Sequence, residues 1–213
     1  MPSAISLAMR VLIKLAKPVA MNTRLPIPWQ RAQFEYFTKV GFLPRGTKIR
    51  TAVIGGIPGR WITVGQACND RAMLYLHGGA YTIGSSYTHR TIAAHLAHAS
   101  ATKVLLIDYR LAPEHPYPAV PEDGLAAYRA LLDMGYSPRW LAIAGDSGGG
   151  GLAMATLVAL RDAGTALPAA TVCLSPWVDL ECSGPSYTSR LQVDPALTSG
   201  VAAPHGTALC SRA

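Results

Sequence analysis

Apolar and polar residues follow two different periods along this 213-residue chain, and the change comes near Arg71. Before that point, a segment at helical spacing, rich in aromatic residues, runs from about Trp29 to Val40. Two short β-like runs follow, Lys48–Ile54 and Arg60–Val64, and the glycine-rich stretch Gly55–Gly59 between them predicts a hairpin loop.

Beyond this point, short apolar runs alternate with helical segments. The predicted strands are Met73–Leu76, Lys103–Asp108, Leu141–Ala144 and Thr171–Leu174, and the predicted helices are Thr91–Ser100, Glu122–Met134 and Leu152–Arg161. Strands that alternate with helices need crossover connections, which predicts an α/β fold with a mostly parallel sheet and helices on both faces. We divide the chain into an N-terminal helical cap segment (1–45), a core (46–199) and an atypical tail (200–213) without assignable periodicity.

The first predicted helix, Ser3–Val19, is basic on one side, where Arg10, Lys14 and Lys17 recur at helical spacing. A basic amphipathic helix can lie on a membrane surface, and the alternative, which we favour, is a helix that covers the mouth of an active site. The charges fall inside the apolar region, so we do not expect a signal peptide. Cations interrupt every long apolar run, so we expect no transmembrane helix.

The composition of the chain excludes several classes of protein function. The chain is 50% hydrophobic and 15% charged, which is typical of a globular protein. Its net charge is +7, but the cations are scattered, and we therefore expect no nucleic-acid partner. The cysteines form no C-x-x-C pair and the histidines are dispersed, which predicts no metal site and a reduced, cytoplasmic setting.

The stretch Leu141–Leu160 carries the strongest chemical signal. An apolar run enters a tight turn, Gly145–Gly149, which reads G-D-S-G-G, and continues as a helix-like segment. A G-x-S-x-G turn between a strand and a helix is typical of a nucleophile elbow, with Ser147 at its apex. The serine sits on a cramped backbone, and flanking side chains would collide with the neighbouring strand and helix, so small residues are needed on both sides.

A second motif, Leu76–Tyr81 (L-H-G-G-A-Y), follows a strand, and its histidine lies 70 residues before Ser147. Its glycines let backbone N–H groups point into a cleft, as an oxyanion hole requires, and the N–H of Gly148 would join them. The alternative is a plain glycine turn that leaves a strand. A third motif, Asp108–Pro118, predicts a rigid loop with ion pairs beneath the elbow, in which His115 is structural and not catalytic.

These three motifs, together with S-P-W-V-D-L at Ser175–Leu180, stand in the order and spacing of the hormone-sensitive-lipase-like esterases, bacterial family IV, which the chain resembles over roughly residues 30–200. The resemblance implies the α/β-hydrolase fold with an eight-stranded sheet and a helical cap built partly from the N-terminus. It also implies hydrolysis of short- to medium-chain carboxylic esters through an acyl-enzyme, without a cofactor. The residues it assigns are Ser147 as nucleophile, Gly78, Gly79 and Gly148 as oxyanion hole, and His77 and Asp146 as supporting residues of the motifs.

The chain departs from the family after the predicted sixth strand. In the family, the acid and the histidine of the triad lie on loops after the seventh and eighth strands, so we expect the last two strands to be missing and the chain to be truncated or frame-shifted. Asp194 and His205 keep the order Ser…Asp…His as a substitute pair, whereas the alternative leaves both solvated, and Asp179 belongs to a structural motif.

Two functions follow. The first is an ester hydrolase that acts on a small-molecule substrate, with membrane contact through the N-terminal helix and homodimer formation as open options. The second is a catalytically impaired hydrolase remnant that at most binds acyl ligands. A trypsin-like protease is excluded because that fold is a double β-barrel, whereas Ser147 lies between a predicted strand and a long apolar helix. A nucleotide-binding loop is excluded because no G-K-[ST] or matched G-x-G-x-x-G is present.

Overall fold

The structure, a computed structural model, describes residues 3, 7, 11 and 25–190. Its helices are α1 (Ile27–Thr38), α2 (Arg90–Ser100), α3 (Ala119–Asp133), α4 (Gly148–Asp162) and the short α5 (Ser186–Ser189), and a 3₁₀ turn spans Pro138–Trp140. The strands are β1 (Thr47–Ile54), β2 (Ile57–Val64), β3 (Cys68–Leu76), β4 (Thr102–Ile107), β5 (Leu141–Asp146) and β6 (Ala170–Leu174).

The six described strands form one sheet in the order β1-β2-β4-β3-β5-β6. Strand β2 pairs antiparallel with β1 and β4, whereas β3 pairs parallel with β4 and β5, and β5 pairs parallel with β6. The predicted α/β class with a mostly parallel sheet is confirmed. The carboxyl ends of β3 and β5 meet at one edge of the sheet, because Leu76 pairs with Gly145.

The sheet carries a core on each face, and β3 shows how its sequence builds both. Successive side chains of a strand point to opposite faces, so a strand buried on both sides reads as a continuous apolar run. Leu74 and Leu76 pack on the side of α3 and α4, while Met73 and Tyr75 pack on the side of α2, where alanines of that helix meet them. Helices therefore cover both faces, as predicted.

The predicted loop Gly55–Gly59 is wrong in its extent. The turn consists of Gly55 and Gly56 alone, both with positive φ (59° and 81°), and Ile54 pairs directly with Ile57. Gly59 lies within β2 because β4 approaches it closely: a Cβ there would stand 2.6 Å from the carbonyl oxygen of Leu106. In a strand, glycine often marks such a close approach of another backbone, and the pattern alone reads it as a turn.

Helix α4 begins at Gly148, four positions before the predicted start at Leu152. Glycine has low helix propensity, which is why the sequence predicts a later start. The predicted helix Ser3–Val19, apart from residues 3, 7 and 11, lies outside the described residues, as does the tail 200–213, so the proposed cap, core and tail boundaries remain predictions. Within the described part of the chain, no helix has the length and apolar character needed to cross a bilayer.

Candidate active site

Ser147 stands at the junction of β5 and α4, at the carboxyl edge of the sheet. Its backbone adopts φ 51° and ψ −122°, a conformation that is costly for a residue with a Cβ. The Ser147 N–H donates to the carbonyl of Leu174 (2.9 Å), and its carbonyl accepts from the N–H groups of Gly151 (3.1 Å) and Trp177 (2.8 Å). Ser147 is half-buried.

The two glycines of the G-x-S-x-G turn fit the steric reason given for them. A Cβ on Gly145 would overlap the carbonyl of Gly149 and stand 2.8 Å from the carbonyl oxygen of Leu76. A Cβ on Gly149 would overlap the carbonyl oxygens of Leu76 and His77. Helix α4 thus approaches the end of β3 more closely than any side chain at these positions allows.

His77 is completely buried in the loop that leaves β3. Its Nδ1 lies 2.8 Å from the Gly78 carbonyl oxygen, its ring stacks on Tyr109 at 4.2 Å, and its own carbonyl accepts from the Tyr109 hydroxyl at 2.6 Å. Burial lowers the pKa of His77 to about 3. The imidazole is therefore neutral at ordinary pH, and its contacts suit a residue that organises the loop.

Asp146, which precedes Ser147, is the polar centre of the site. Its Oδ1 accepts from the Tyr75 hydroxyl (2.8 Å) and from the Gly78 N–H (3.0 Å), and its Oδ2 lies 3.5 Å from Nε2 of His89. Burial alone would raise the pKa of this carboxyl, but the groups that face it, His89 first, bring the pKa below its ordinary value. The carboxylate is thus held in its charged form.

This arrangement changes the part assigned to Gly78. The sequence predicts its N–H as an oxyanion donor, but the structure gives that N–H another partner, the carboxylate of Asp146. The N–H groups of Gly79, Ala80 and Gly148 have no acceptor among the described residues. A Cβ on Gly148 would stand 3.3 Å from the backbone N of Ala80, so the loop directly faces the start of α4.

The loop reaches this position through unusual backbone angles. Gly79, Ala80 and Tyr81 have successive positive φ values of 122°, 50° and 64°. Such conformations persist where the surroundings hold them, and they are frequent at ligand sites. Here the stack of Tyr81 on Trp177, with ring centroids 5.8 Å apart, and the hydrogen bond from the Ala112 N–H to the Tyr81 carbonyl fix the end of the loop.

The loop Asp108–Pro118 contains the ion pairs that the sequence predicts. Arg110 donates to both carboxylate oxygens of buried Asp123, at 2.7 to 3.1 Å, and to exposed Glu122 at 3.0 Å. Glu114 pairs with Arg31 of α1 at 2.7 Å. His115 is exposed, and its backbone N–H donates to the Leu111 carbonyl, so its structural role stays a prediction.

Two residues of the site, Tyr75 and His89, were missed by sequence reasoning. Tyr75 reads as one more apolar strand residue, and His89 as part of the approach to α2. Only the register of β3 against β5, which pairs Tyr75 with Ala144, shows that its hydroxyl reaches Asp146.

Among residues 25–190, no hydrogen bond links the Ser147 hydroxyl to an imidazole. Asp179 instead accepts from the Ser183 hydroxyl (3.2 Å) and the Gly184 N–H (3.0 Å), as a structural turn residue does. Asp194 and His205 lie outside the described residues. In the described part of the chain, no group of three or more metal-ligating side chains comes together.

A groove of about 650 Å³ lies at the other end of the sheet, lined among others by Lys48, Trp61 and Lys103. Lys103 follows the first residue of β4 and pairs with Ala72, so this groove is at the amino ends of the parallel strands. Ser147 follows the carboxyl end of β5, which separates the two sites by the length of a strand. The groove is therefore no part of the serine site.

Comparison with known proteins gives the same family in sequence and in structure. A family profile described as the alpha/beta hydrolase fold matches residues 73–208. An acetyl-hydrolase of Streptomyces hygroscopicus is 47% identical over 164 residues, which are 77% of this chain and 53% of that protein. An esterase of Acinetobacter venetianus is 34% identical over 151 residues, which are 71% of this chain and 50% of that protein.

A solved structure of an esterase from the bacterial hormone-sensitive lipase family superposes with a TM-score of 0.92 at 40% identity, and covers 98% of this chain and 70% of its own. A second, of a hormone-sensitive lipase from a metagenome library, gives a TM-score of 0.91 at 33% identity, over 95% of this chain and 68% of its own. The chain spans about half the length of the two sequence relatives.

Proposed function

The chain belongs to the alpha/beta hydrolase fold family, and from that premise we propose that it hydrolyses carboxylic esters with Ser147 as its nucleophile. The resemblance to hormone-sensitive-lipase-like esterases that the four motifs indicate is confirmed by the structural neighbours. The observation that carries the proposal is the position of Ser147: a half-buried serine at positive φ directly before α4, whose first residue, Gly148, lies against the loop that carries the N–H groups of Gly79 and Ala80.

In the proposed reaction, the Ser147 hydroxyl oxygen attacks the ester carbonyl carbon while a base takes its proton. The tetrahedral intermediate carries its negative charge on the former carbonyl oxygen. This intermediate expels the alcohol, which takes up the proton, and leaves an acyl group on Ser147. Water then attacks the acyl-enzyme in the same manner and releases the carboxylic acid.

The oxyanion is held by the N–H groups of Gly79, Ala80 and Gly148. They replace the set Gly78, Gly79 and Gly148 expected from the sequence, because the Gly78 N–H is engaged by Asp146. Helix α4 adds the positive end of its dipole at the same point. Loss of a single donor of this kind reduces kcat by about 10²- to 10³-fold.

We propose an imidazole as the base, and none is hydrogen-bonded to the Ser147 hydroxyl among residues 25–190. The 213-residue sequence has one histidine after Ser147, His205, and we propose it as the base, with Asp194 as the acid that orients it. Neither His77 nor His89 suits this part, because His77 is buried with Nδ1 on the Gly78 carbonyl and His89 faces Asp146.

We propose short- to medium-chain esters as substrates. The name acetyl-hydrolase of the Streptomyces hygroscopicus relative favours the shorter acyl groups. The ring of Tyr81 stacks on Trp177, whose backbone N–H donates to the Ser147 carbonyl.

Hydrolysis of p-nitrophenyl butyrate by the purified chain tests the proposal. We expect turnover above about 1 s⁻¹, the ordinary range for enzymes. Ser147→Ala should reduce it on the order of 10⁶-fold, whereas Ser100→Ala, an exposed serine at the end of α2, should not change it. Turnover that survives in Ser147→Ala refutes the nucleophile.

A second pair of variants tests the base. His205→Ala should reduce kcat to the level of Ser147→Ala, and Asp194→Asn should reduce it by a smaller factor, because the acid only orients the imidazole. If His205→Ala keeps full turnover, this histidine is not the base. If the unaltered chain shows no turnover above background while it is folded, the chain is not a hydrolase by itself.

A further inference from the structure

We infer that Tyr75 and His89 are positioning residues of this site, which act through the Asp146 carboxylate to fix the loop His77–Tyr81 at a set distance from Ser147. The inference rests on the proposed function, since it concerns the oxyanion donors of the same reaction. Neither Tyr75 nor His89 is proposed to touch the substrate. Each acts only through its contact with Asp146.

The geometry makes Asp146 a tie between the two halves of the site. Asp146 precedes Ser147 directly, so its backbone moves with the nucleophile. Its Oδ1 accepts the Gly78 N–H at 3.0 Å, and Gly78 is followed by the proposed donors Gly79 and Ala80. A Cβ on Gly78 would overlap Oδ2 of the carboxylate, so the loop backbone and the carboxylate are already in contact.

One hydrogen bond does not fix a carboxylate that can rotate about its side-chain bonds, and here Tyr75 and His89 supply the other contacts. The Tyr75 hydroxyl donates to the same Oδ1 at 2.8 Å, from a side chain that is completely buried on β3. Burial, and then the charge of Asp146, raise the pKa of Tyr75 far above its ordinary value, so it stays a donor at every working pH.

His89 faces the other oxygen. Its Nε2 is 3.5 Å from Oδ2, and its Nδ1 is 2.8 Å from the Thr88 hydroxyl oxygen. The ring is held between two others, at 5.3 Å from His77 and 5.9 Å from Phe34. The imidazole therefore cannot turn away from the carboxylate without breaking contacts on both sides.

The consequence for catalysis is specific. A tie that sets the position of the oxyanion donors acts on the transition state, where the charge develops, and much less on binding of the neutral ester. Misplacement of about 1 Å in such a site costs about 100-fold in rate. We therefore expect Tyr75→Phe to lower kcat by about 10- to 100-fold with KM changed by less than about 3-fold.

A matched control variant separates an effect on the position of the loop from an effect on the stability of the fold. Tyr128 of α3 is buried to the same extent, and its hydroxyl also makes one hydrogen bond, to the Ala166 carbonyl at 3.0 Å, far from the site. Tyr128→Phe should lower the free energy of unfolding by on the order of 1 kcal/mol and leave kcat unchanged, whereas Tyr75→Phe should cost somewhat more stability, because its hydroxyl donates to a charged carboxylate.

His89 allows a rescue experiment. His89→Phe keeps an aromatic ring between His77 and Phe34 but has no donor for Asp146, and should lower kcat about 10-fold or more. His89→Gln restores a side-chain N–H toward the carboxylate and should recover most of that loss. Equal kcat in His89→Phe and the unaltered chain would overturn the part assigned to His89.

A readout that needs no turnover completes the test. In two-dimensional ¹H–¹⁵N spectra, the amide signals of Gly78, Gly79 and Ala80 should shift in Tyr75→Phe and His89→Phe, and stay in place in Tyr128→Phe. If the three signals shift in this pattern but the unaltered chain shows no turnover, the tie stands and the proposed function fails. If turnover depends on Ser147 but kcat is unchanged in Tyr75→Phe, the function stands and the positioning inference is wrong.

Discussion

Replacement of Gly149 by alanine tests whether the elbow depends on the close approach of α4 to the end of β3. A Cβ at this position would overlap the carbonyl oxygens of Leu76 and His77, both of them backbone atoms that cannot rotate away. Either the helix moves outward or the end of β3 gives way. Because α4 begins directly after Ser147 and its Gly151 N–H donates to the Ser147 carbonyl, movement of α4 also displaces the nucleophile.

The expected change in the free energy of unfolding of Gly149→Ala follows from two opposed effects. Insertion of a methyl group into a packed region costs about 1 to 3 kcal/mol, and an overlap with backbone lies at the upper end of that range. Alanine in a helix gains about 1 kcal/mol over glycine. We therefore expect Gly149→Ala to lower the free energy of unfolding by about 2 kcal/mol, or about 4 to 8 °C in Tm for a chain of this size.

The neighbouring glycine is the control. A Cβ on Gly148 would stand 3.3 Å from the Cα and N of Ala80, a tight contact without overlap. Gly148→Ala should therefore stay within about 1 kcal/mol of the unaltered chain, because the same gain in helix propensity offsets a small strain. Urea unfolding followed by tryptophan fluorescence measures both variants. Equal stability of Gly149→Ala and Gly148→Ala would refute the close-approach argument.

Four further variants test the contacts that support the site. The pKa of His77 is about 3 in the folded chain and near 6.5 when unfolded, so between pH 6.5 and about 3 the free energy of unfolding should fall by up to about 1.4 kcal/mol for each pH unit. Urea titrations over this range should show a shallower fall in His77→Asn. Asp123→Ala should cost about 1 to 3 kcal/mol in thermal unfolding, because it leaves Arg110 without its buried partner, whereas exposed Glu122→Ala should cost less than about 0.5 kcal/mol. Arg31→Ala should speed limited proteolysis within α1, because Arg31 donates to the Thr82 and Ala112 carbonyls and to Glu114, and no residue of that helix is fully buried.

The elbow could be predicted from sequence because everything that defines it is local. The apolar run, the glycines at 145 and 149 and the helical spacing after them are adjacent in the chain, and each has a short-range steric reason. The class of fold was predictable on the same ground, since strands alternate with helices. The hairpin was predicted too long because Gly59 reads as a turn residue, while its true reason is the backbone of β4, which lies 47 residues further along the chain at Leu106.

The polar contacts behind the site were not predictable in this way. Tyr75 lies 71 residues before Asp146, and its hydroxyl meets the carboxylate only because β3 and β5 pair in the register that sets Leu76 against Gly145. Because the Gly78 N–H donates to Asp146, it is not free to hold an oxyanion. The N–H groups of Gly79 and Ala80 have no acceptor among the described residues. A glycine pattern shows that backbone N–H groups are accessible, but it does not show which of them already has an acceptor.

The strain at Ser147 and the order of the sheet are connected. A serine at φ 51° costs about 1 to 3 kcal/mol, and it persists only if its surroundings hold it. Three backbone hydrogen bonds do so, each worth about 1 kcal/mol, and two of them come from β6 and the segment that follows it: Leu174 accepts the Ser147 N–H, and Trp177 donates to its carbonyl. The S-P-W-V-D-L motif therefore helps to hold the backbone of the nucleophile, as the glycines do. It lies about thirty residues away in the sequence and supplies no reacting group. On this account, the elbow is completed by the strand next to it, and its geometry depends on β6 staying paired with β5.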